Sequence, residues 1–251
     1  MNGDFNFFNN MAKKKEENID LLENNEAIAH KLEGVEHWAE KNPTIVIGIV
    51  GALILIAGGY FGFRYYIDNQ NDEAQKEMFQ AVRYFEADSL NLAMKGDGNN
   101  LGFEQIIADY GMTDAGNLSN FYAGAASLKQ GKYQLAILYL EDFKTNDLLI
   151  QPRAYSLLGD AHMELKEYDE AADYYMQASN YKPNKYFSPT YLMKAALAFE
   201  KLNQNDKAIE AYQKIIDDFF DSNEYQNAVK FKARLETNSW FGFLGLVDFR
   251  I

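Results

Sequence analysis

One segment limits what this chain can fold into more than any other. Thr44 to Phe63 is a run of twenty residues without a charge, TIVIGIVGALILIAGGYFGF, and eleven of them are Ile, Leu, Val or Phe. As a helix rising about 1.5 Å per residue, the run spans roughly 30 Å, the thickness of the hydrocarbon core of a bilayer. A core helix of this length normally carries a polar stripe, and this run carries none. We therefore predict a transmembrane helix over residues 44–66.

The residues on either side of the apolar run predict its orientation. Forty-three residues precede the run, too many for the start of an ordinary cleavable signal peptide. Five Lys lie before the run, whereas about fifteen residues after it hold only Arg64 and Lys76. Since basic residues favour the cytoplasmic side, we expect residues 1–43 in the cytoplasm and the rest of the chain across the membrane.

Small residues within the run form a possible contact face for another membrane helix. Most of them recur at spacings near 3.5 residues, and Gly58 with Gly62 adds a second pair with the small-xxx-small spacing that lets two helix backbones approach closely. Glycine is also common in membrane helices without such a partner, and both interpretations stay open. The predicted face consists of Gly48, Ala52, Gly58, Gly59 and Gly62.

Most of the remaining sequence has a helical pattern. Glu16–Lys41 reads as an amphipathic helix, and Asp72–Met94 as a second one that links the anchor to the second half of the chain. The loop Lys95–Asn100 closes this linker region, residues 68–100, and a short helix comes next at Gly102–Tyr110.

The last fifteen residues, 237–251, are an apolar tail. It could fold back on the preceding domain, act as an interfacial or partner-binding segment, or be a tail that is not native to the family's domain. We expect it to fold back or dock, because large apolar side chains are costly to leave in water.

A pattern of small residues repeats along the second half of the chain. One small position recurs at spacings of 35 and 37 residues, and a second recurs at the same spacings. Leu or Tyr comes four residues after the second position each time. The first position is held by Gly124, Gly159 and Ala196, the second by Ala136, Ala171 and Ala208, and the large residue by Leu140, Tyr175 and Tyr212.

This pattern resembles the tetratricopeptide repeat, a unit of about 34 residues whose small positions let two antiparallel helices pack closely. The best match, AYSLLGDAHMELKEYDEAADYYMQASNYKP, ends at Pro183. The resemblance implies an all-α fold: one transmembrane helix, then a solenoid of about three repeats with flanking helices over residues 101–236. Ser222–Leu235 would be the capping helix.

In such a solenoid, the first helix of each repeat lines a concave groove that binds protein. The groove would be apolar and Met-containing, which suits adaptable binding. The chain's own tail could instead cover it. The predicted groove residues are Leu118, Phe121, Tyr122, Leu128, Arg153, Leu157, Asp160, Met163, Met193, Lys194 and Leu197.

The composition and the polar residues give no reason to propose catalysis. The net charge of −13 argues against nucleic-acid binding, and the absence of cysteine removes disulfides and thiolate metal sites. His162 stands at a packing position, and the loop GDGNN lacks the closing Glu of a calcium loop. We therefore expect no enzyme activity, no cofactor, no metal and no small-molecule substrate.

The layout narrows the resemblance further. A short cytoplasmic segment, one anchor and a repeat domain opening with FEQIIADYG are similar to the YfgM-like group. That resemblance implies an ancillary Sec-translocon subunit of the bacterial inner membrane, with its repeats in the periplasm. The implied partners are translocon membrane subunits and a membrane-anchored chaperone or prolyl isomerase. The alternative is a structural subunit of another envelope complex or of a motility machine.

Overall fold

A computed structural model describes the backbone of residues 37–243 and the side chains of residues 37–237. The chain divides into two compact units, Met1–Tyr65 and Tyr66–Ile251. Most of the predicted helix Glu16–Lys41 lies outside the described residues, as do the side chains of the tail from residue 238 onward.

The apolar run lies in helix α1, Pro43–Glu86. It is the one helix in the described part of the chain that is long and apolar enough to cross a membrane. Its large side chains are exposed, for example Ile47 at 70% and Leu55 at 77%. A span in contact with lipid presents such side chains outward, because lipid tails are as apolar as they are.

The linker differs from the sequence prediction in one respect. The helix predicted over Asp72–Met94 is broken, because α1 ends at Glu86 and a short helix, α2, covers Leu90–Lys95. Asp88 between them adopts a left-handed conformation (φ 56°), which ends α1, and its carboxylate pairs with Lys129 at 2.7 Å. Helix α3, Phe103–Tyr110, agrees with the predicted short helix.

The loop between α2 and α3 is a turn organised by Asp97. Its carboxylate accepts hydrogen bonds from the backbone N–H groups of Asn99 and Asn100, from the Asn100 side chain and from the Tyr84 hydroxyl. These four donors hold the pKa of Asp97 well below its usual range, the Tyr84 hydroxyl contributing most. The Asp97 side chain therefore stabilises the turn.

The remaining helices form three antiparallel pairs and a final helix, so the predicted all-α repeat fold is confirmed. The pairs are α4 (Asp114–Lys129) with α5 (Tyr133–Asp142), α6 (Ile150–Leu165) with α7 (Tyr168–Asn180), and α8 (Ser188–Lys201) with α9 (Asn205–Asp218). The final helix, α10, covers Tyr225–Phe243 and is longer than the predicted cap, so the first part of the predicted tail continues this helix.

The small positions explain how the pairs pack. A Cβ placed on Gly159 would lie 2.5 Å from Cε1 of Tyr175, and one on Gly124 would lie 2.5 Å from Cγ of Leu140. The three alanines at the second position are fully buried. The large residue of each second helix therefore fills the space that the first helix leaves empty.

Candidate protein-binding surface

The first helices of the three repeats, α4, α6 and α8, carry all of the predicted groove residues, which fall into three classes by exposure. Arg153 and Leu197 are exposed, and Leu157 is buried. The intermediate class consists of Leu118, Phe121, Tyr122, Leu128, Asp160, Met163, Met193 and Lys194.

The predicted residues of the first repeat pack largely against the chain itself. Tyr122 stacks on Phe103 with ring centroids 5.4 Å apart and meets the ring of Phe85 edge-on at the same distance. Phe121 lies 5.4 Å from Phe143. Tyr122 therefore belongs to the packing of α1, α3 and α4, and Phe121 to the core cluster at the end of α5, more than to an open groove.

Leu157 contributes little surface to the groove. It is 9% exposed and packs in one core cluster with Ala154 and Leu158. Sequence reasoning assigned it to the groove because it lies on the first helix of its repeat. The helical period instead turns it towards the second helices.

Two predicted groove residues, Asp160 and Lys194, form an ion pair between the first helices of repeats two and three. Lys194 Nζ lies 2.7 Å from Asp160 Oδ1 and 2.9 Å from Oδ2, and it also donates to Ser156 Oγ at 3.2 Å. The Tyr175 hydroxyl donates to Asp160 Oδ1 at 2.7 Å. Burial, reinforced by Asp160, raises the pKa of Tyr175 far above its usual value, so it remains a donor.

A similar arrangement recurs one repeat further on, and sequence reasoning missed it. The Tyr212 hydroxyl donates to Glu200 Oε1 at 2.8 Å, and Arg234 of α10 pairs with the other carboxylate oxygen. The signal in the sequence was periodic: Lys194 and Arg234 each come 34 residues after their acidic partner. The two networks tie α6, α8 and α10 together along one face.

Accessible apolar and basic groups lie beside these networks. Leu197 is 47% exposed. Arg153 is exposed, and no ion pair is found for it within residues 37–237. Met163 and Met193 are half-buried against the core of the second and third repeats. This part of the surface combines fixed charges with flexible apolar side chains.

His162 has a packing role, as its position in the repeat predicts. Its ring stacks on Tyr174 with centroids 5.3 Å apart, and Nδ1 lies 2.7 Å from Glu167 Oε2. Within the described part of the chain, no group of three His, Asp or Glu side chains could hold a metal ion.

The predicted membrane contact face is open to its surroundings. A Cβ placed on Gly48, Gly58, Gly59 or Gly62 would meet nothing within 4 Å among the described residues, and Ala52 is exposed. The face is therefore accessible to another helix.

Comparison with known families identifies the repeats. Models of the tetratricopeptide repeat match residues 152–185 and residues 191–222, which are the second and third helix pairs. A search of curated proteins returns no match. The first pair, α4 and α5, has the same small positions and a similar close contact between its helices. The chain therefore contains tetratricopeptide repeats.

Proposed function

We propose that this chain is a non-enzymatic, membrane-anchored scaffold that binds segments of other proteins on the first helices of its second and third repeats. The observation that carries the proposal is the accessible surface around Leu197, which is 47% exposed. Two ion pairs, one between α6 and α8 and one between α8 and α10, hold this face in place. A scaffold needs such fixed geometry, since a binding surface that is already ordered loses less entropy on binding.

The surface suits extended protein segments of mixed character. The thioethers of Met163 and Met193 can adapt to different apolar side chains, and Arg153 offers a guanidinium for carboxylates or backbone carbonyls. The first-repeat residues Leu118, Phe121, Tyr122 and Leu128 extend the surface only through their exposed portions.

We assign this scaffold to the periplasmic side of the Sec translocon in a bacterial inner membrane. The support is the layout of cytoplasmic segment, anchor and repeats, the sequence FEQIIADYG at α3, and the lysine bias before the anchor. The partners would be translocon membrane subunits and a membrane-anchored chaperone or prolyl isomerase, and the contact would aid export of secreted or outer-membrane proteins.

Site-specific photo-crosslinking tests the proposal on the full chain in its native membrane. A benzophenone amino acid at Leu197 should give adducts with translocon subunits or exported proteins. The same group at Leu138, which is 56% exposed on α5, is the matched control and should give none. Adducts at Leu197 with subunits of another envelope or motility complex would contradict the translocon assignment and would identify the chain as a structural subunit of that complex. Equal labelling at Leu197 and Leu138 would contradict the proposed binding surface.

A further inference from the structure

Exposed apolar side chains are concentrated in the loops that precede the first helices of the repeats and α10. Between residues 87 and 237, ten large apolar side chains are exposed, and six of them lie in these four loops. Their exposed fractions run from 44% to 73%, so they are not the edges of core residues. We call these side chains the loop row: Met112, Leu148, Leu149, Tyr186, Phe187 and Phe220.

Hydrogen bonds join the loops into one edge. Asn117 at the start of α4 exchanges two hydrogen bonds with the backbone of Lys144 in the second loop. Lys182 of the third loop donates to the carbonyl oxygen of Asn146 at 2.7 Å. Lys185 pairs with Asp221 of the fourth loop at 2.7 Å. The six apolar side chains therefore belong to one continuous border of the repeat unit.

Two of the loops are also held by equivalent side-chain caps. Asp147 Oδ1 accepts from the backbone N–H groups of Leu149 and Ile150. Asn184 Oδ1, 37 residues later, accepts from those of Tyr186 and Phe187. Since these bonds order the loops, the apolar side chains are presented outward by a fixed backbone.

The edge begins at the helix that carries the apolar span. The side chain of Asn71 on α1 accepts a hydrogen bond of 2.9 Å from the backbone N–H of Ala115, at the start of α4 and just after the first loop. Asn71 lies five residues beyond Tyr66, the end of the predicted span. Tyr66 itself lines a cleft of ≈ 230 Å³ with Met112 of the loop row.

The chemistry of the edge fits the interfacial region of a lipid bilayer. Tyr is enriched where membrane meets water, and Phe and Leu can bury at the boundary between headgroups and acyl chains. Lys side chains can extend to the headgroups while their stems stay apolar. The loops hold Lys144, Lys182 and Lys185 next to the loop row, but acidic residues balance them, and the chain as a whole carries −13. A zwitterionic surface therefore fits better than an anionic one.

We propose that the loop row inserts into the headgroup region of the bilayer in which α1 is anchored, and so fixes the repeats at the membrane surface. This inference rests on the proposed membrane anchor and goes beyond it, because an anchor by itself does not require the repeat loops to contact lipid. A docked edge leaves the surface around Leu197 available to proteins at the membrane.

Quenching of tryptophan fluorescence by brominated lipid tests this on the full chain in phosphatidylcholine–phosphatidylethanolamine vesicles. The native Trp38 and Trp240 are first replaced by Phe. Single tryptophans are then introduced as Tyr186→Trp and Phe220→Trp in the loop row, Leu138→Trp on α5 as the exposed control, and Leu55→Trp in the span. We expect at least a twofold greater loss of fluorescence in brominated vesicles for the two loop positions than for Leu138→Trp.

The four positions separate the two hypotheses. Strong quenching of Leu55→Trp with loop positions no more quenched than Leu138→Trp would overturn the loop-row inference and leave the anchor intact. That pattern is also the one expected if a second copy of the chain or another protein covers the edge. Absence of quenching at Leu55→Trp would contradict the proposed membrane anchor and the loop-row inference that rests on it.

Discussion

The ring of Tyr175 occupies the space that Gly159 leaves on α6, with ring carbons 2.5 Å and 2.6 Å from where a Cβ would lie. From that position its hydroxyl reaches Asp160 on the same helix and orients the carboxylate towards Lys194 of the next repeat. A small residue in the core therefore determines where a charged group stands on the surface. The contact between Gly159 and Tyr175 therefore contributes both to the packing of the repeat and to the geometry of the candidate site.

The first prediction concerns that contact. Gly159→Ala should lower the free energy of unfolding by about 1–3 kcal/mol, because the added methyl forces the Tyr175 ring to shift in a packed core. In an exposed helix the same change would stabilise by about 1 kcal/mol. Urea unfolding of the full chain in mild detergent, followed by circular dichroism, measures the difference.

Ala196→Gly at the equivalent position of the third repeat is the control. It should cost only the helix propensity of glycine and a small loss of packing, about 1 kcal/mol. Stability of Gly159→Ala equal to or above that of the unchanged chain would contradict the packing argument.

The second prediction concerns the ion pair between Asp160 and Lys194. Their side chains are 31% and 36% exposed, so solvent screens the pair only in part. A double-mutant cycle with Asp160→Asn and Lys194→Met should give a coupling energy of about 1 kcal/mol that falls at high salt. Coupling near zero at low salt would mean that the pair does not hold the two first helices together.

The contrast between these contacts shows what the sequence could predict. The long apolar helix is a local feature, since twenty uncharged residues predict it without reference to the rest of the chain. The helix pairs could be predicted from small residues at a fixed spacing. The ring contacts of Tyr122 and the burial of Leu157 could not, because the first depend on Phe85 and Phe103 and the second on the rotation of α6. The 34-residue spacing of Asp160 and Lys194 is visible in the sequence, but it predicts a contact only when the superhelical geometry of the repeats is known.

The third prediction is a pH dependence. Burial, together with the hydrogen bond to Glu141, raises the pKa of Tyr174 to about 12 from the usual 10.0. The folded phenol therefore stays protonated where the unfolded one ionises. Its contribution to stability is complete below about pH 10 and is lost as the pH rises towards 12.

Urea midpoints between about pH 8 and pH 12 measure this dependence. Tyr174→Phe should lose stability less steeply over that interval than the unchanged chain. Tyr168→Phe, on the same helix, serves as the control for the loss of a phenol hydroxyl. Identical slopes for all three chains would show that Tyr174 ionises equally in both states.

The fourth prediction is the topology of the anchor. Protease added outside spheroplasts should remove the portion from Asp72 onward and spare the segment before Pro43, because the lysine bias predicts a cytoplasmic N-terminal segment. Lysed spheroplasts are the control, in which both portions should be digested. Protection of the repeats in intact spheroplasts would reverse the orientation and would remove the periplasmic assignment.

The fifth prediction concerns the glycine face of α1. Gly59→Leu together with Gly62→Leu should reduce recovery of membrane partners in mild detergent severalfold, because the added side chains hold a neighbouring helix away. Insertion should be unchanged, since leucine favours the membrane more than glycine does. Ala57→Leu adds bulk roughly 160° around the helix from Gly59 and is the matched control. Membrane partners should co-purify with the Ala57→Leu control and be lost from the double variant when both are expressed at the same level. Resistance to alkaline extraction tests whether each variant is still inserted in the membrane. Equal recovery from the two variants would show that α1 anchors the chain through lipid alone.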